Sequence, residues 1–134
     1  MITAVDTCVL LDILAGSKEH GATSLAAMLE CSRSGALVVC DIVFAELAAA
    51  FDGDLERTEA FLEAAGIRRI AFTAEMLAGS GGLFRQYRRA GGKRDRIIAD
   101  FLIGTHAMEA AHRLLTRDRG FFRDHFSGLQ VLEP

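Results

Sequence analysis

The chain has 134 residues, 51% hydrophobic and 25% charged, with a formal net charge of −3. That balance excludes a disordered chain, and with no run near the ~20 uninterrupted apolar residues of a membrane span it excludes a bilayer-embedded protein. Cys8, Cys31 and Cys40 lack CxxC spacing and the four histidines lack HExxH or zinc-finger spacing, which excludes a disulfide scaffold and a structural zinc site. The length predicts one domain over residues 1–134, and the cysteines read as small buried hydrophobes in apolar surroundings. No basic region precedes the first apolar run, so the start does not resemble a secretory leader and the expected location is the cytoplasm. The acidic net charge hides a local excess of the opposite sign: Arg85, Arg88, Arg89, Lys93, Arg94 and Arg96 stand against Asp95 alone.

Met1 to Val5 reads as a short strand packed on both faces, because strands covered by helices carry near-continuous apolar residues. Asp6 stands at its carboxyl end, either as a cap for the next helix or as part of a site. Val9 to Ala15 predicts a short helix closed by Gly16, and Glu19 to Ser34 a longer one closed by Gly35. Ala36 to Cys40 is a second strand, with Asp41 the expected N-cap of a helix over Ile42 to Phe51 that contains Glu46. Leu55 to Ala65 carries apolar residues at helical spacing, and Ile67 to Phe72 reads as a third strand. Thr73 is the expected cap of a helix over Glu75 to Ala90, followed by a basic glycine-rich loop through Arg96. A helix over Ile97 to Ala111 has Asp100 near its first turn, where the helix dipole favours an acid. Arg113 to Thr116 is a fourth strand, Asp118 follows in a loop, the phenylalanines at 121, 122 and 126 pack the connection, and Leu129 to Leu132 is a fifth strand. Strands alternating with helices predict a parallel sheet with helices on both faces.

Asp6 and Asp118 thus occupy equivalent places beyond two parallel strands, on the edge to which crossovers of one hand bring all strand ends. Glu46 follows the second strand within about two helical turns, and Asp100 opens the helix leading into the fourth, so both are positioned to lean over that edge. At an effective dielectric of ~20 and ~5 Å, two bare carboxylates repel by about 3 kcal/mol, which a marginally stable domain offsets with a cation. All-oxygen ligation selects Mg²⁺ or Mn²⁺ over zinc, and such ions activate water for attack on a phosphodiester. Each acid also has a plain structural explanation: Glu46 as a solvent-facing residue, Asp100 as a dipole partner, Asp118 as a turn residue. Asp12, Asp41 and Asp95 read as structural, with Asp12 near enough in sequence to Asp6 to support it.

Asp6-Thr7 after an apolar strand, Glu46 within Ile42-Val43-Phe44-Ala45-Glu46-Leu47, Asp100 before Phe101-Leu102-Ile103-Gly104-Thr105-His106, and Thr116-Arg117-Asp118-Arg119-Gly120-Phe121-Phe122 together resemble PIN-domain ribonucleases of the VapC toxin type. The resemblance spans nearly the whole chain. It implies a three-layer α/β/α sandwich on a five-stranded parallel sheet, a Mg²⁺- or Mn²⁺-dependent endoribonuclease, and a homodimer held by a cognate antitoxin. It also implies that Asp6, Glu46, Asp100 and Asp118 are the acidic metal-binding quartet, with Thr7 and Thr116 as neighbouring hydroxyls. Arg94, Arg96, Arg117 and Arg119 are candidates for contacts to the RNA backbone, as phosphate contacts carry affinity without reading sequence.

Two other readings of the same residues stand beside this one. An RNA- or protein-binding module would use the acidic pocket to receive a basic side chain of a partner. An aspartate-nucleophile phosphatase would use Asp6 directly, although such enzymes usually carry a second acid two positions later, where this chain has Cys8.

Overall fold

In a computed structural model, which describes residues 1–93 and 98–134, the predicted alternation is realised. β1 (Ile2–Val5) leads into α1 (Thr7–Ala15) and α2 (Gly21–Ser34); β2 (Ala36–Val39) into α3 (Asp41–Ala50) and α4 (Leu55–Ala64); β3 (Ile67–Arg69) into α5 (Ala74–Arg89) and α6 (Ile98–Ala110). β4 (Arg113–Leu115), α7 (Arg119–His125) and β5 (Gln130–Leu132) complete the order. The five strands form one parallel sheet in the order β3-β2-β1-β4-β5. Thr3, Ala4 and Val5 in β1 and Leu37, Val38 and Val39 in β2 are all buried. Successive residues of a strand point to opposite faces, so burial of every one of them requires cover on both faces, the three-layer α/β/α arrangement.

The order places β1 at the centre, with β2 on one side and β4 on the other. From β1 the chain first builds outward through β2 and β3, then returns to lay β4 and β5 on the opposite side. Such a reversal opens a crevice beyond the carboxyl ends of the two strands that flank it, here β1 and β4. Thr3 pairs with Arg113 and Val5 with Leu115, so Asp6 and Thr116 leave the sheet side by side.

Several boundaries differ from the expectation, each for a local reason. α1 begins at Thr7, immediately after β1, because Asp6 caps it by accepting the Thr7 amide. Asp41 is the first residue of α3 and not its cap; its carboxylate instead holds the Arg69 guanidinium at 2.6 Å and the Phe72 amide at 3.3 Å. β3 ends at Arg69, three residues early, and the chain turns from there towards Thr73, which does cap α5. The segment expected as a connection before β5 contains α7, whose Phe121 and Phe122 are buried in the core. None of the described helices is long and apolar enough to cross a membrane.

Candidate active site

Asp6 sits at the switch point and is 8% exposed. One carboxylate oxygen accepts the Thr7 amide at 2.7 Å, and the other accepts the Thr116 hydroxyl at 2.6 Å. The Thr7 hydroxyl reaches across to α3 and donates to Glu46 Oε1 at 2.7 Å. Glu46 is itself exposed, so the pair consists of a buried, fixed acid and a solvent-facing one, joined through a single residue, Thr7, whose amide serves the first and whose hydroxyl serves the second. Thr116 also accepts the Asp118 amide at 3.0 Å, which ties the start of α7 to Asp6. Asp118 occupies the N-cap position of α7 without using its side chain as a cap.

Asp100 lies in the first turn of α6, half-buried, on a helix that packs across β1, β4 and α3. Because α6 feeds the start of β4, its own start stands at the carboxyl edge of the sheet. Two of the four sequence-predicted acids, Asp6 and Glu46, are therefore joined through Thr7, Asp118 is joined to Asp6 through Thr116, and Asp100 shares their edge. Among the described residues, no group of three or more His, Cys, Asp or Glu side chains stands close enough together to hold a metal ion.

Burial pushes the Asp6 carboxyl above the ordinary carboxylate range. The Thr116 and Thr7 hydrogen bonds pull it back in part, and the charge of Glu46 adds to the rise. A buried acid raised by desolvation and by a second acid is a place whose charge a cation would balance. In ligand type alone, the carboxylate oxygens of Asp6, Glu46, Asp100 and Asp118 suit a hard ion such as Mg²⁺ or Mn²⁺ and not zinc. Cys8 is the exception to the apolar surroundings expected for the cysteines: its thiol lies 3.7 Å from Asp6 Oδ2 and 3.8 Å from the Thr116 hydroxyl. Burial and the Asp6 charge both push that thiol's pKa up, so Cys8 remains a neutral neighbour and not a thiolate ligand.

Of the four arginines considered for RNA contact, Arg94 and Arg96 lie outside the described residues. Arg117 is committed elsewhere: its Nε and a terminal nitrogen grip both oxygens of Asp12 at 2.7 and 2.9 Å. Arg119 pairs with Glu133 at 3.2 Å. Asp12 also accepts the Ser24 hydroxyl at 2.8 Å, so α1, α2 and the loop between Thr116 and Asp118 are clamped together. Sequence reasoning missed this clamp as a unit. Its one sequence signal is an acid on α1 among the apolar Val9 and Leu10, a position that calls for a partner.

The family model of the PIN domain matches residues 3–125. The chain belongs to the PIN domain family. Solved structures similar to this PIN domain include VapBC2 from Rickettsia felis bound to a promoter DNA fragment, at 20% identity and a TM-score of 0.76, covering 100% of this chain and 99% of that one. VapBC-1 from nontypeable Haemophilus influenzae matches at 18% identity and a TM-score of 0.73, covering 99% and 98%. A toxin–antitoxin complex from Klebsiella pneumoniae matches at 16% identity and a TM-score of 0.65, covering 97% and 95%. At these identities the likeness is one of fold. Comparison with curated proteins found no match.

Proposed function

We propose that this PIN domain is a Mg²⁺- or Mn²⁺-dependent endoribonuclease, the toxin of a toxin–antitoxin pair, acting in the cytoplasm as a homodimer restrained by a cognate antitoxin. PIN domains are nucleases, which supports hydrolysis of a phosphodiester. The toxin reading is supported by similarity to VapBC structures and to a toxin–antitoxin complex. The observation that carries the chemistry is the buried Asp6 carboxylate, coupled through Thr7 to Glu46 at the switch point of the sheet.

Asp6 and Glu46, with Asp100 and Asp118 on the same edge, are the residues that would hold the divalent ion. Bound there, such an ion supplies charge neutralisation at the scissile phosphate and lowers the pKa of water. The chain's own residues set the geometry. The Thr7 amide and Thr116 hydroxyl fix both oxygens of Asp6, and the Thr7 hydroxyl fixes one oxygen of Glu46. Arg88 and Arg89 in the last turn of α5, with Lys93 beyond it, supply positive charge for the RNA backbone.

The test is cleavage of single-stranded RNA by protein freed of any partner. Cleavage is expected with Mg²⁺ or Mn²⁺, and loss of it in excess EDTA and in Asp6→Asn. Undiminished cleavage in EDTA, or in an Asp6→Asn, Asp100→Asn double variant, removes the proposal.

A further inference from the structure

A cavity of about 520 Å³ opens where the end of α5, the start of α6 and the end of α7 meet. Its size lies in the range of small-molecule sites. Tyr87, Phe101 and His125 give it aromatic walls, and Gln86, Asp124 and Lys93 bring polar groups to it. The Tyr87 and His125 rings meet edge-on, 5.2 Å apart at 89°, and Phe101 packs against both at 5.3 and 5.8 Å. Edge-on packing leaves ring faces that the partner ring does not cover. The Tyr87 hydroxyl donates to the Lys93 carbonyl at 3.0 Å, which fixes the ring and the chain leaving α5 in one arrangement.

The walls share their helices with the acids. Phe101 follows Asp100 in the first turns of α6, and His125 ends the helix that Asp118 begins. We propose that this cavity takes an unpaired nucleobase of the RNA substrate, stacked on the exposed His125 ring and met edge-on by the Tyr87 ring, which stands at 89° to it, with the exposed Gln86 amide and Asp124 carboxylate facing the base edge. The inference rests on the nuclease reading and adds to it a substrate form. Aromatic faces bind bases of any sequence, while an amide and a carboxylate offer the donors and acceptors that tell one base from another. A base enters such a cavity only when it is out of a duplex stack. Lys93, at the same mouth, stands where the adjoining phosphate would pass.

The experiment measures binding of a single-stranded oligoribonucleotide carrying 2-aminopurine, in EDTA so that no cleavage occurs. Stacking is expected to quench the fluorescence at saturation, and the same strand in duplex form is expected to bind at least about tenfold more weakly. His125→Ala, at an exposed position, is expected to lose the quenching and about tenfold in affinity. Gln86→Ala, whose native side chain is exposed, keeps the quenching but changes the preference among the four bases. Cleavage with Mn²⁺ is assayed in parallel. Intact cleavage together with unquenched binding overturns the base pocket alone, and the same result is expected if the cavity instead receives a side chain of a partner protein. Quenched binding without cleavage under any condition supports the pocket and removes the nuclease.

Discussion

At Asp6 the carboxylate accepts the first amide of α1 on one oxygen and the Thr116 hydroxyl on the other, while burial and Glu46 oppose its charge. Its folded pKa is raised above the unfolded value, so between the two values the folded chain binds more protons and stability falls as pH rises through that window. Asp6→Asn removes this cost. In EDTA at neutral pH the variant is expected to be about 1 kcal/mol more stable than the native chain, a gain that disappears below pH ~4 where both forms are uncharged. Thermal melts across the pH range check this, and a native chain that is the more stable at neutral pH contradicts it. Asp6 was legible from sequence because a carboxylate ending an apolar strand is conspicuous. Its partners were less so: Thr116 lies 110 residues away, and nothing in the residues between fixes that pairing locally.

At the scale of elements, the Asp12 and Arg117 pair joins α1 to the loop between β4 and α7, with Ser24 adding α2. Burial alone raises the Asp12 pKa, but the bonds from Arg117 and Ser24 and the Arg117 charge outweigh it and hold the carboxyl below its ordinary value. The pair therefore stabilises the fold above the unfolded pKa of Asp12, and that contribution is lost as pH falls towards the folded value. Asp12→Ala leaves a guanidinium and a hydroxyl without their acceptor; the expected cost is about 2 kcal/mol, or roughly 5–10 °C in Tm. α6 depends on a different feature. A Cβ added at Gly104 would meet the Phe126 ring at 2.3 Å, and that ring, 4% exposed, is packed between Phe101 and Phe122. In an open helix alanine stabilises by about 1 kcal/mol over glycine. Gly104→Ala is expected to reverse the sign and destabilise by about 1–3 kcal/mol in denaturant titrations. The strands and the longer helices could be read from sequence because their apolar spacing is regular. α7 was harder to read, since it is only seven residues long and starts amid charges and a glycine, so the helical spacing of Phe122 and the capping Phe126 is too short a pattern to set it apart from a packed connection.

For the whole molecule, the sheet was predictable because strands buried on both faces must be continuously apolar, and the shared edge of Asp6 and Asp118 followed from the ends of β1 and β4 lying side by side. Which arginine faces solvent and which faces an acid was not predictable, as ion-pair choice is settled by tertiary placement; Arg117 finds Asp12 across 105 residues. The aromatic cavity escaped for the same reason, its walls being drawn from three helices. Buried His106 links α6 to the far side of the sheet through Nε2 and the Ile70 carbonyl at 2.8 Å. Burial lowers its pKa, against the opposing pull of the Ile70 bond and the Asp41 charge. The folded chain then binds fewer protons than the unfolded chain, and stability falls as pH drops from ~6.5 towards the folded value. His106→Gln is expected to flatten that slope in melts between about pH 5 and 7, at the cost of about 1–2 kcal/mol at neutral pH; an unchanged slope would assign the acid sensitivity elsewhere.

The bond between Thr116 and Asp6 also has a meaning in time. A ribosome that has delivered Asp6 must add 110 further residues before Thr116 exists, and β1 cannot gain its β4 neighbour until then. Pairings so distant in sequence form late. A nascent chain carrying the first acid therefore lacks the hydroxyl that orients it until β4 and the residue after it have been made.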